Sequence, residues 1–168
     1  MLTKNFYSYM RAAFQNKSAA FVQTNGTAVS KTYYYKAANP FEVMKEWAAD
    51  TSTNGVSFGT GTTPATASDY VIESILDNNK INVSTPSSIS FSRYDTYEEY
   101  TVTFGVTNKT AEAITISEVG LTACPNTNGS PFPFVLVDRT VLDTPITIPA
   151  GQSKQITYTI RFNYGDAV

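Results

Sequence analysis

The sequence predicts a mainly β protein, an antiparallel β-sandwich of immunoglobulin-like or jelly-roll-like kind with one or two short N-terminal helices. Three observations carry that prediction. Apolar and polar residues alternate with a period of two from Tyr100 to Thr107 and again from Ile156 to Phe162, the signature of strands with one buried face. Turn residues separate such runs roughly every 8 to 15 residues, as in sandwich folds. The 168 residues are 42% hydrophobic but only 15% charged, and a surface of Thr, Ser and Asn in place of Lys and Glu favours strands over long helices. Residues 1–168 read as a single domain, with 1–80 as an N-terminal arm, hairpin and crossover segment and 81–164 as the β-sandwich core.

In order along the chain, Leu2 to Phe14 carries apolar residues at Leu2, Phe6, Met10 and Ala13. That spacing predicts a short amphipathic helix, with Thr3 or Asn5 as its cap, covering the end of its own domain or docking onto a partner. Ala20-Phe21-Val22 and Thr32 to Tyr35 are strand-like and flank Asn25-Gly26, which predicts a hairpin. Asn39-Pro40-Phe41-Glu42 has a capping-box arrangement, with Pro40 where its missing N–H is harmless. A second short helix is expected there, burying Phe41, Met44 and Trp47. Asp50 to Ser68 is rich in Thr, Ser, Gly and Ala and reads as a loop or short irregular strand around Val56 and Phe58. Asp69 to Leu76 is apolar enough to tuck into the core, and Asp77-Asn78-Asn79 marks a turn.

Ser88 to Phe91 and Tyr100 to Thr107 are expected strands, followed by a turn at Asn108-Lys109-Thr110. Ile114 and Ile116 continue the alternation, and Val119 and Leu121 follow. Phe134 to Val137 forms a compact apolar run. Ile146 and Ile148 read as a separate short strand between Pro145 and Pro149, and Ala150-Gly151-Gln152 turns the chain into the last strand.

Composition excludes several chemistries. The chain has no histidine and one cysteine, Cys124, so a Ser-His-Asp triad, a Cys-His pair, a His-ligated zinc and an intrachain disulfide are ruled out. No catalytic residue, cofactor or metal site is expected. A net charge of −2 provides no basic field for nucleic acid. The longest apolar runs are a few residues, against about 20 for a bilayer span, so no membrane association is expected. The N-terminal segment lacks an uninterrupted apolar stretch and reads as mature structure rather than a signal peptide, and the lone thiol suits synthesis in a reducing cytosol. Five Asn-x-Ser/Thr sequons, at Asn16, Asn25, Asn82, Asn108 and Asn128, are what chance produces in such a composition.

Five features invite a chemical role. Gly59-Thr60-Gly61-Thr62-Thr63 is glycine-rich but lacks the Gly-Lys-Ser/Thr ending of a phosphate-binding loop; a turn or crossover needing backbone freedom explains it better. The acidic pairs Glu98-Glu99, Asp138 with Asp143, and Asp69 with Glu73 raise glycoside hydrolysis. Adjacent strand residues such as Glu98 and Glu99 point to opposite faces, however, and a solvated surface is the simpler reading. Arg139 is expected to reach a carboxylate such as Glu118 or Glu73, an ion pair that fixes register or a corner. Cys124 has no basic neighbour to lower its pKa. Tyr33-Tyr34-Tyr35, Tyr94, Tyr97 and Tyr100 form a possible sugar-binding set, weighed against packing in the core and at subunit interfaces.

Blocks along the chain also carry a resemblance. They run from Leu2-Thr-Lys-Asn-Phe-Tyr through Val56-Ser-Phe-Gly-Thr-Gly-Thr-Thr-Pro64 and Ser68-Asp-Tyr-Val-Ile-Glu-Ser74. They continue with Tyr100-Thr-Val-Thr-Phe and Ile114-Thr-Ile-Ser-Glu-Val-Gly-Leu. They close with Leu136-Val-Asp-Arg-Thr-Val-Leu-Asp-Thr-Pro-Ile, Ile148-Pro-Ala-Gly-Gln and Ile156-Thr-Tyr-Thr-Ile-Arg161. In this order they resemble a group of small structural, tail- or head-associated proteins of tailed bacteriophages; Ala28 to Asp50 has no counterpart. The resemblance implies a non-enzymatic virion component in a tail, neck or capsid-decorating position, assembled in the host cytoplasm. Its partners would be other virion proteins and copies of itself. A low charge density suits such contacts, since little charge must be desolvated. The N-terminal segment and the Asp50–Ser68 loop are the expected contact elements, with Leu2, Phe6, Met10, Val56 and Phe58 as interface residues. The alternative is a carbohydrate-binding sandwich module that attaches to a host-surface glycan.

Overall fold

The alternating segments fold into antiparallel ladders in a computed structural model that describes residues 1–15, 18–32, 48–50, 55–124 and 134–163. The expected N-terminal helix is α1, Lys4–Gln15. It starts two residues later than the apolar spacing implies, because Leu2 is extended and bridges Asp138. Backbone bonds from Thr3 N to Val137 O and from Arg139 N to Met1 O, both 3.0 Å, fix that pairing. Thr3 takes the cap position, its carbonyl accepting from the Phe6 amide at 3.1 Å, but the side chains of both expected caps bond elsewhere. The Thr3 hydroxyl donates to Leu136 O, and the Asn5 amide exchanges two 2.8 Å bonds with the Val22 backbone, fastening the helix to the next strand. The expected second helix, Tyr33 to Tyr35 and Trp47 lie outside the described residues.

Strands β1, Ser18–Val22, and β2, Ala28–Thr32, form a hairpin about the expected Asn25-Gly26 turn, with β2 starting at Ala28 rather than at Thr32. Its turn needs Gly26, at φ 82°, a conformation that a Cβ disfavours. A second sheet has the order β3-β7-β8, built from β3, Gly55–Gly59, β7, Ile114–Ala123, and β8, Val135–Ile148. The third contains β4, Ile81–Val83, β5, Ser88–Arg93, β6, Tyr97–Asn108, and β9, Ser153–Asn163. Strand β6 is its axis. Strand β9 pairs along Tyr97 to Thr107, so β4 and β5 share the other edge end to end.

Two boundaries differ from expectation. Strand β3 pairs with β7 through all five of its residues, so this part of the 1–80 crossover belongs to a sheet whose other strands lie beyond residue 81. Strand β8 is continuous where two pieces were expected. Ile116 pairs with Ile146 but Glu118 with Val141, so Leu142 to Pro145 bulge out opposite Ser117. A bulge accommodates Pro145, which has no N–H to give to a ladder.

The strict alternation buries one face of the third sheet, with Val102, Phe104 and Val106 of β6 beside Ile156, Tyr158 and Ile160 of β9. Val56, Phe58, Val119 and Leu121 of the second sheet join the same apolar cluster, and Phe58 meets Phe104 edge to face at 6.1 Å. On the opposite face of β6 and β9, hydroxyls pair across the strands at Thr101–Thr159, Thr103–Thr157 and Thr107–Ser153. The expected interface residues turn inward. Val56 and Phe58 are wholly buried and Phe6 nearly so, while Leu2 and Met10 are half-buried against the same core. Helix α1 stacks Phe6 on Phe162 of β9 at 5.8 Å, so it covers its own chain, the first of the two roles expected of it.

Candidate functional site

The densest polar constellation among the described residues sits on the outer face of the β3-β7-β8 sheet. Alternation sends Asp138 and Arg139, neighbours in β8, to opposite faces. Arg139 points outward and pairs with Gly120, where a Cβ would lie 3.1 Å from Leu136 Cδ1 and 3.2 Å from Ser57 Oγ. Its Nε donates to Glu118 Oε2 at 2.9 Å and Nη1 to Asp69 Oδ2 at 2.8 Å. Nη2 reaches the Thr63 carbonyl at 3.1 Å and Glu73 Oε2 at 3.2 Å. The sequence pointed to Glu118 and Glu73 as partners; it missed Asp69, which the loop from Thr60 to Leu76 brings in by folding over the sheet.

Glu118 is completely buried and its acceptor sites are filled. Oε1 takes the Gly61 and Ser74 amides at 3.0 and 2.7 Å. Oε2 takes the Glu73 amide at 3.1 Å in addition to Arg139. Such saturation is what a buried carboxylate requires. It also gives the Gly59-Thr60-Gly61 segment its reason. A Cβ on Gly59 would lie 2.5 Å from Glu118 Oε1 and 2.6 Å from Ser74 O, and one on Gly61 would lie 2.5 Å from the same Oε1. The glycines are there for close approach to a carboxylate, rather than for the backbone freedom the sequence suggested.

Electrostatics follow from the geometry. Burial alone would lower the Arg139 pKa, but its bonds to Asp69 and Glu118 outweigh that and raise it. Partial burial pushes the Asp69 carboxyl up, yet the Thr66 amide and Arg139 hold it below its ordinary range. Bonds from the Thr63 amide and hydroxyl, with Arg139 beyond, hold Glu73 low as well. A shallow hollow of about 320 Å³ opens here, lined by Thr63, Ser68, Asp69, Tyr70 and Arg139 among others. General acid catalysis on a sugar needs a carboxyl raised toward neutrality; Asp69 and Glu73 are shifted the other way. The arrangement clamps a loop to a sheet.

Asp138 points inward. Its Oδ2 accepts from the Tyr158 hydroxyl of β9 at 2.7 Å, and its Oδ1 lies 3.0 Å from the Met1 ammonium. Burial, then the adjacent carboxylate, drives the Tyr158 pKa well above its ordinary value.

The other candidates are dispersed. Glu98 pairs with Arg93 and Glu99 with Arg161, on opposite faces of β6 as expected of neighbours in a strand. Tyr94 stacks on Tyr97 at 4.4 Å beneath the Arg161 guanidinium, 4.1 Å from the Tyr97 ring. Tyr100 faces the other way, against Phe91 and Phe162. The tyrosines of β6 therefore do not form one platform. Burial pushes the Cys124 thiol up. Asn108 is buried with its amide fully engaged, donating to Glu112 O and Ile148 O and accepting from Thr110. Its sequon is closed in the folded chain. No protein-family model, curated protein or solved structure matches this chain.

Proposed function

We propose that this chain is a non-enzymatic structural component of a bacteriophage virion, in a tail, neck or capsid-decorating position, and that it acts through subunit interfaces. We read its two larger sheets as the layers of an antiparallel sandwich, supported by Phe58 against Phe104 and Tyr158 against Asp138 across them. The resemblance in the order of its sequence blocks supports the virion assignment. The observation that carries the assembly reading is on β5. Ile89 and Phe91 are 57% and 50% exposed, although they lie on the face of the sheet whose other residues build the core. Large apolar side chains left at the margin of a core face mark contact surfaces. Light scattering on the purified protein tests this. A mass of two or more chains is expected; a monodisperse monomer at every concentration overturns assembly through copies of itself.

A second reading has its own observation. Tyr94, 46% exposed, stacks on Tyr97 beside the Arg161–Glu99 pair, an aromatic surface next to polar groups of the kind that binds sugar rings. A carbohydrate-binding role in host attachment predicts hits on a glycan array that Tyr94→Ala abolishes.

A further inference from the structure

Sheet margins offer unpaired N–H and C=O groups, and proteins ordinarily blunt them with a covering segment, a bulge, proline, lysine or extreme shortness. In this chain most margins are treated that way. The free side of β8 is bridged by Leu2 and carries the Pro145 bulge. The free side of β3 takes the Ala48 amide on Val56 O and the Leu76 amide on Phe58 O. Strand β9 bears Lys154 and Arg161, and β4 is three residues long. Apart from Arg93 at its end, strand β5 shows none of these devices among the described residues. Its six residues, Ser-Ile-Ser-Phe-Ser-Arg, pair with β6 in unbroken register, and among the described residues its other side pairs with nothing.

We propose that β5 pairs antiparallel with β5 of a second copy of this chain, about a two-fold axis passing by Ser90, joining two sheets into one. This rests on the assembly reading above and names its contact. The pattern Ser88-Ile89-Ser90-Phe91-Ser92 reads the same in both directions by residue class. Centred on Ser90, antiparallel pairing sets Ile89 opposite the other copy's Phe91 twice, on the apolar face. It sets Ser88 opposite Ser92 twice, and Ser90 opposite itself, on the hydroxyl face. A shift by one residue would place apolar side chains against serines, so the alternation selects the register. Charge is compatible. The one charged residue of β5, Arg93, is already paired with Glu98 of its own chain at 2.5 Å and falls opposite Ser87 of the copy. A two-fold contact of this kind is self-complementary and closed. One strand pair buries on the order of several hundred Å², less than the roughly 1,200–2,000 Å² of a free-standing interface. The association is weak in dilute protein and strengthened when other contacts in an assembly hold the copies close.

Sedimentation velocity over about 5 to 500 µM, a range that brackets weak association, is paired with crosslinking of Ser90→Cys in a Cys124→Ser background by a short bismaleimide. Ser153→Cys in the same background serves as the control. Self-pairing predicts a concentration-dependent dimer, a linked dimer from position 90 and none from 153. It also predicts association at least about tenfold weaker in Ile89→Lys and in Phe91→Lys, as for loss of an interface anchor. Circular dichroism establishes that each variant is folded, and Ile89→Lys alone decides the matter if Phe91→Lys unfolds. A wild-type oligomer that forms equally well in Ile89→Lys and gives no product at position 90 overturns the β5 contact and leaves the assembly reading standing. A wild-type monomer throughout, with no product at position 90, overturns self-pairing and self-assembly together.

Discussion

Arg139 Nε lies 2.9 Å from Glu118 Oε2, and both side chains are almost or wholly withdrawn from water. The pair binds the loop from Thr60 to Leu76 onto a sheet, because each partner also holds loop atoms. Removing one member leaves a buried charge without its counter-charge. Arg139→Ala is expected to destabilise the fold by about 3–5 kcal/mol, measured by urea denaturation. Arg139→Lys should recover only part of this, since an ammonium cannot bond three carboxylates in a fixed plane. Hydrogen exchange should show the 60–76 loop opening first.

Gly59 and Gly61 approach Glu118 too closely to carry a side chain. Gly59→Ala presses on the Ser74 backbone as well as on Glu118. It should cost about 1–3 kcal/mol, the usual range for overpacking. Gly61→Ala meets chiefly the Glu118 and Glu73 side chains and should cost less. Thermal unfolding of the two variants checks the order.

Tyr158→Phe removes the hydroxyl that Asp138 Oδ2 accepts from, inside the core. A loss of about 1–3 kcal/mol is expected for leaving a buried charged acceptor short of a donor. The paired variant Asp138→Asn in the Tyr158→Phe background should show non-additivity in a double-mutant cycle.

Acid should loosen the loop clamp. Asp69 and Glu73 ordinarily titrate at 3.8 and 4.5, and both are lowered in the folded chain. The unfolded chain therefore takes up these protons first. Their contribution is fully present above about pH 5 and is lost as pH falls through 4.5 and 3.8 toward the lower folded values. Urea midpoints measured from pH 7 to pH 3 should fall in that window, and the fall should be shallower in Arg139→Ala.

Asn108→Ala opens the turn between β6 and β7. Two backbone carbonyls, Glu112 O and Ile148 O, lose their donor, and about 1–3 kcal/mol should be lost for unsatisfied buried groups. The Asn108→Asp variant, which turns a buried carboxylate oxygen toward the same two carbonyls, should lose more than Asn108→Ala at neutral pH in the same denaturation assay.

The period-two segments were legible because burial imposes that period directly: β6 and β9 fall where Tyr100–Thr107 and Ile156–Phe162 alternate. The helix and the Asn25-Gly26 turn followed from equally local rules. Strand β3 was harder to see, since it is five residues with glycine at both ends, and the single alternation of Val56 and Phe58 about Ser57 is too short to stand out from the Thr-, Ser- and Gly-rich stretch around it. The β8 bulge was hidden for a different reason: Pro145 argues locally for a break, and only pairing with β7 shows that the strand resumes. The Arg139 partners were half visible. Glu118 stands out as a charge within an otherwise apolar and small-residue strand. Asp69 is one acidic residue among several in a loop, and no spacing rule brings it 70 positions along the chain to Arg139.

The opposed directions of Asp138 and Arg139 have a consequence for how this molecule reaches its native form. Were β8 threaded one position out of step, the guanidinium would be driven among Val119, Leu121 and Tyr158, and the carboxylate would meet Asp69, Glu73 and Glu118. Both placements set charge against its environment at once. Two adjacent side chains of opposite sign thus act as a keyed joint, disfavouring the slipped register that the repetitive Thr and Val content of the strands would otherwise tolerate.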